Sequence, residues 1–182
     1  MKRIAAFIVA VAAVGCLFTG CQPKPEKKEI KSVKVTQQSS DSYEDALKEC
    51  FEAMQSEGGA EVFYSYMYPN EAIEAMKNNN EYDRLISDFN NSQQKKLEER
   101  TDKYTFNSIK EAKPLTEKQV SGVKTYLVQL SEPYLNTLKE DDLEVKDGYE
   151  VTYDYLKNDK DTSSETVIIF KLNDEGWKVI TR

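Results

Sequence analysis

Between residues 41 and 100 the apolar positions recur with a helical period; beyond residue 104 they alternate. Ala46, Leu47, Cys50, Phe51 and Met54 mark one face of a first helix, introduced by Ser42-x-x-Asp45, a variant of the capping box. Gly58-Gly59 ends it. A short second helix over 60–68 carries Val62, Phe63, Tyr66 and Met67 on one side. Pro69 breaks that run, and Asn70 is expected to cap a third helix bearing Ile73 and Met76. The longest helix is expected from Glu81 to about Arg100, where Tyr82, Leu85, Ile86, Phe89 and Leu97 keep the 3.6 period.

The second half reads as sheet. Tyr104, Phe106 and Ile109 mark a first strand whose alternation slips, which predicts a bulge. Val120 to Leu130 reads as a longer strand with Tyr126, Val128 and Leu130 on one face, and 133–142 as a polar excursion. Tyr149, Val151, Tyr153 and Tyr155 alternate with Glu150, Thr152 and Asp154. A charged hairpin loop is expected over Asn158–Ser164, then a strand over 166–172, a turn at Asn173-Asp174-Glu175-Gly176, and a closing strand led by Trp177. Helices followed by an antiparallel meander predict an α+β fold with the helices on one face of the sheet.

The first 21 residues contradict this globular pattern. Lys2 and Arg3 precede an uncharged apolar run from Ile4 to Phe18, shorter than the ~20 residues a membrane-spanning helix needs, which is the signature of a secretory signal peptide. The run ends in Phe18-Thr19-Gly20-Cys21, which resembles the bacterial lipobox, with Phe18 where leucine is usual. The resemblance implies cleavage before Cys21 and diacylglycerol on its sulfur, which anchors the chain to a lipid bilayer on the extracytoplasmic face of the cell membrane. Ala13-Val14-Gly15-Cys16 is a second candidate, which leaves a very short apolar region. Residues 1–20 are thus a signal peptide, and 21–40, with two prolines and five lysines, a disordered tether. Residues 41–182 form one domain, in which Cys50 is the sole cysteine and is expected to be a buried apolar residue.

Charge and composition remove several function classes. The 182 residues carry a formal net charge of -7, and from residue 41 onward there are 18 basic against 30 acidic side chains. That balance is opposite to what a nucleic-acid binder needs. There is no histidine, so Ser-His-Asp and Cys-His catalysis are absent, as is the commonest zinc ligand. No glycine-rich phosphate cradle occurs and no motif implies a cofactor. Asp159, Asp161, Ser163 and Glu165 are spaced like a calcium loop, but Ser164 and Phe170 stand where an EF-hand needs Gly and Glu, which favours a solvated hairpin tip.

The capped helix with Ala46, Leu47, Phe51, Ala53 and Met54, the further helices, and the meander ending in Gly176, Trp177 and Val179 together resemble the NTF2-like (cystatin-like α+β) superfamily, in particular small surface lipoproteins carrying such domains. The resemblance implies a sheet folded around the helices into a cone whose mouth holds a small ligand. It makes Tyr64, Tyr66, Tyr126, Tyr149, Tyr153 and Tyr155 the candidate pocket residues, the sequence holding eleven tyrosines in all. Two functions follow as expectations: binding of a small ligand, peptide or partner protein without catalysis, or an isomerase or dehydratase using a Tyr/Asp pocket. Tyr153 and Asp154 cannot form that pair, because adjacent strand residues face opposite sides. Trp177 is expected to seal the core against Phe51 and Met54 of the first helix.

Overall fold

The computed structural model describes residues 40–181. The residues expected to form the signal peptide, Cys16 and Cys21, and all but the last residue of the expected tether lie outside them.

Four helices open the fold. In α1 (Tyr43–Gln55) the Ser42 hydroxyl accepts the Asp45 N–H at 3.1 Å, and Ala46, Leu47, Cys50, Phe51 and Ala53 form the buried stripe. Gly59 has to lack a side chain, because a Cβ there would lie 2.0 Å from the Ala53 carbonyl oxygen. Helices α2 (Ala60–Met67), α3 (Asn70–Asn78) and α4 (Tyr82–Glu99) follow. Pro69 is the N-cap of α3 and Asn70 its first residue, one place from the expected cap. A proline cap leaves that helix start without a side-chain acceptor, and the Glu175 carboxylate supplies one by accepting the Asn70 N–H at 2.8 Å.

The sheet has four antiparallel strands in the order β1 (Tyr104–Pro114), β2 (Val145–Lys157), β3 (Asp161–Leu172) and β4 (Gly176–Thr181), and it is open. The slip expected in β1 is present as two register shifts, between Phe106 and Ser108 and between Ile109 and Glu111. The β2–β3 connection is tighter than expected. Asn158 and Asp159 take left-handed backbone conformations, so pairing resumes at Lys157 opposite Asp161, inside the segment expected to be loop.

Residues 120–130 are not a strand. Helix α5 (Glu117–Ser131) occupies them. Thr116 and Gln119 cap it reciprocally, and Val120, Val123 and Leu127 fall three and four residues apart, a helical stripe stronger than the alternation of Tyr126, Val128 and Leu130. The expectation that all helices share one face fails with it. One apolar layer joins α1 and α2 to Val151, Tyr153, Val167, Ile169, Trp177 and Val179. A second, on the opposite face of the sheet, joins Val123 and Leu127 of α5, with Leu138 and Leu143, to Phe170 and Leu172. A third packs Tyr68, Ala72, Ile73, Met76 and Tyr82 between α3 and α4. Among the described residues no helix is long and apolar enough to cross a membrane.

Trp177 is 9% exposed. Its nearest rings are Tyr43, at 6.0 Å between centroids, and Tyr149, at 6.4 Å. The expected partner Phe51 lies in the same layer but packs on Phe106 and Tyr153.

Candidate functional site

The six tyrosines divide into two groups. Tyr149, Tyr153 and Tyr155 project from alternate positions of β2 towards α1, and Tyr66 joins that layer from α2. Tyr64, also of α2, lies between Phe63, Phe89 and Tyr68. Tyr126 is on α5, in the layer on the other side of the sheet. Four of the six therefore share one layer, with Tyr64 at its boundary with the α3–α4 cluster.

Two phenol–carboxylate pairs stand in that shared layer. Tyr66 Oη donates to Glu49 Oε2 at 2.6 Å, and Ser40 Oγ donates to the same oxygen at 3.0 Å. Tyr153 Oη donates to Glu165 Oε2 at 2.9 Å. Burial first, and then the adjacent carboxylate, pushes both phenols well above the ordinary tyrosine range, so each keeps its proton. Cys50 lies close enough to add to that upward pressure on both, and its own thiol is pushed up to about 12 by burial. A thiol that is 1% exposed and holds its proton is no nucleophile at neutral pH.

Aromatic rings pack closely around Tyr153. Tyr153 stacks on Phe106 at 5.5 Å and meets Phe51 edge-on at 5.9 Å, leaving it 1% exposed. Tyr155 packs on Phe51 and Tyr104, and Tyr149 stacks on Tyr43 at 4.8 Å. Asp154 faces away from Tyr153; it accepts the Ser164 hydroxyl and pairs with Lys110 at 3.1 Å, and these bonds, opposed by partial burial, hold its carboxyl below the usual range. Asp161 and Glu165 stand on β3 rather than in a loop, and no group of three or more acidic or cysteine side chains suited to a metal occurs among the described residues.

Glu49 and Glu165 are the functional-group partners that sequence reasoning does not find. Placing a loop over 158–164 sets Tyr153 opposite Ile169; the actual turn sets it opposite Glu165. The paired left-handed positions Asn158 and Asp159 are the signal for that tighter turn.

An open groove of about 400 Å³ lies between α5 and the 3-10 turn Glu140–Asp142, lined by Leu115, Glu117, Val120, Ser121, Lys124, Glu140 and Asp141. Thr125 Oγ1 donates to Glu140 Oε1 at 2.7 Å and ties the two walls together. Comparison with family models, with curated proteins and with solved structures finds no match for this chain.

Proposed function

We propose that this protein is a membrane-anchored extracytoplasmic lipoprotein, held to the bilayer through acylated Cys21, whose NTF2-like domain binds a small ligand, peptide or partner protein without catalysis. The observation that carries the non-catalytic reading is the state of the tyrosine layer. Its Tyr66 and Tyr153 hydroxyls are committed to Glu49 and Glu165, its thiol is buried, and Tyr153 is packed among aromatic rings. Groups of this kind stabilise a scaffold, and recognition then falls to outward-facing surfaces.

The NTF2-like assignment is supported by α1 lying against the meander and by the two shifts in β1, because bulges bend a strand. Helix α5 on the opposite face is a departure from a sheet wrapped around its helices. The isomerase or dehydratase alternative draws support from one feature, the Tyr153–Glu165 bond, which brings a phenol and a carboxylate within hydrogen-bond reach. That pair would need a cavity beside it.

Metabolic labelling with a clickable fatty acid tests the anchor. Wild type and Cys16→Ser carry the label; Cys21→Ser does not, and equal labelling of all three overturns the assignment. Turnover of a small substrate that Tyr153→Phe abolishes without unfolding would overturn the non-catalytic reading.

A further inference from the structure

We infer that the edge of β3 from Asp161 to Thr166 is a docking site for an extended, basic polypeptide segment, which adds to the sheet as a strand. This rests on the non-catalytic binding reading above and names the site and the class of partner. Strand β3 pairs with β2 along its whole length, from Asp161 to Leu172. Strand β4 pairs with it only from Val167, opposite Thr181, to Leu172, opposite Gly176. From Asp161 to Thr166, therefore, no described strand lies on the β4 side, and alternate residues there turn both N–H and C=O towards that side. Asp161, Thr162, Ser164 and Glu165 are exposed, so no described helix covers the stretch.

Exposed edges are commonly defended by lysines, prolines and bulges. The far edge of the sheet, β1, has two register shifts and carries Lys110, Lys113 and Pro114. Asp161–Thr166 holds no lysine or proline, and its register with β2 runs without a shift. Its charge is negative instead: Asp161 and Glu165 share one face of the strand, with Ser163 between them. Tyr153 donates to Glu165 Oε2 and fixes that carboxylate in place. This arrangement disfavours a second copy as the occupant. Two-fold antiparallel pairing centred on Ser163 sets Asp161 directly opposite Glu165 of the copy, like charge against like. Centring it on Ser164 sends the copy's Asp161 to the position opposite Val167, which Thr181 already holds. A separate strand with Lys or Arg at the positions facing Asp161 and Glu165 meets neither obstacle. Main-chain bonds to the edge give it affinity, and the two cations set its register.

The test is titration of the full ¹⁵N-labelled chain in detergent micelles with acetyl-Lys-Thr-Val-Thr-Lys-amide, with its fully N-methylated form, and with glutamates in place of its lysines. Backbone amides, their hydrogen exchange and the integrity of the peptide are followed together. The expected result is saturable shifts centred on residues 161–166, with slowed exchange of their outward N–H groups. N-methylation should abolish them, and both the glutamate peptide and Asp161→Lys should weaken binding about threefold or more. Equal binding of the N-methylated or the glutamate peptide, saturable shifts elsewhere, or no saturable shift would overturn the edge assignment and leave the non-catalytic reading standing. Cleavage or modification of the peptide during the titration would overturn that reading instead. Asp161 is exposed, so an unchanged amide spectrum away from the edge verifies that the variant is folded.

Discussion

Replacing Lys178 with methionine should destabilise the fold more than any other single charge removal. Lys178 is 2% exposed, and its ammonium donates to the Ser65 carbonyl at 3.0 Å, the Tyr68 carbonyl at 2.8 Å and Asn70 Oδ1 at 3.2 Å. Glu175 Oε2 lies 3.1 Å away and also accepts the Asn70 N–H. The cation thus meets carbonyls at the end of α2, and the anion meets the start of α3, each where the helix dipole favours its sign. Burial lowers the Lys178 pKa, with Glu175 opposing, so the charge is held at a cost and repaid by this set of bonds. Lys178→Met keeps the aliphatic stem and strands the acceptors together with a 13%-exposed carboxylate. Breaking a buried pair from one side costs roughly 3–5 kcal/mol. With a urea m-value of about 1–3 kcal/mol/M, the midpoint should fall by about 1 M or more at unchanged m. Lys178→Met/Glu175→Gln should lose less than the two single changes together, because the stranded charge is gone. A single-variant loss below about 1 kcal/mol would refute the reasoning, since it would mean that desolvation cancels the bonds.

The buried Cys50 thiol and buried phenols make stability fall in alkali. Cys50 rises from 9.0 to about 12, and Tyr64 and Tyr82 from 10.0 to about 12, so the folded state keeps protons the unfolded chain releases: this stability is complete below about pH 9 and is lost as pH rises through 12. Three pKa units at Cys50 amount to about 4 kcal/mol, offset in part by relief of the Lys178 cost as pH approaches 10.5; thermal melts that are flat from pH 8 to 11 would contradict this. Tyr153→Phe keeps the ring packing and loses one hydrogen bond, about 0.5–1.5 kcal/mol, whereas Tyr153→Ala should cost about 3–5 kcal/mol in the same denaturation assay. Trp177→Ala should cost about 3–5 kcal/mol, but Trp177→Phe under about 1.5 kcal/mol, because the buried indole N–H has no hydrogen-bond partner among the described residues to lose; calorimetric melting points give both.

The elements that read correctly from sequence are those whose signals agreed. Ser42, the stripe from Ala46 to Phe51 and the glycine pair at 58–59 all point to one helix, and α1 occupies that span. The strict alternation from Tyr149 to Tyr155 likewise gave β2 its faces. Residues 120–130 offered two periods at once, because Val120, Tyr126, Val128 and Leu130 satisfy alternation while Val123 and Leu127 do not. Thr116 and Gln119 decide for helix, and they lie before the run, where a window centred on the apolar residues misses them. The candidate site was less legible, because it depends on register. Alternation puts Tyr153 on one face with Tyr149, Val151 and Tyr155, but a few residues of turn length separate Glu165 from Ile169 as its neighbour.

Helix α5 also sets where the open groove lies. Helix α5 covers the outer face only near Phe170 and Leu172, and Gly148 makes room for Leu115 just before it: a Cβ there would lie 2.7 Å from Leu115 Cδ1 and 3.1 Å from Phe170 Cβ. Farther along the strands that face turns polar, with Thr152 bonded to Thr166 at 3.0 Å and Asp154 to Ser164 and Lys110. Along the strands the outer face is therefore dry at the α5 end and solvated at the other, while the inner face is closed by α1. An opening bounded by both apolar and charged groups belongs where α5 begins, beside Leu115. Its position is thus set by a glycine that admits Leu115 and a capping box that starts the helix two residues on, neither of which carries any chemistry of its own.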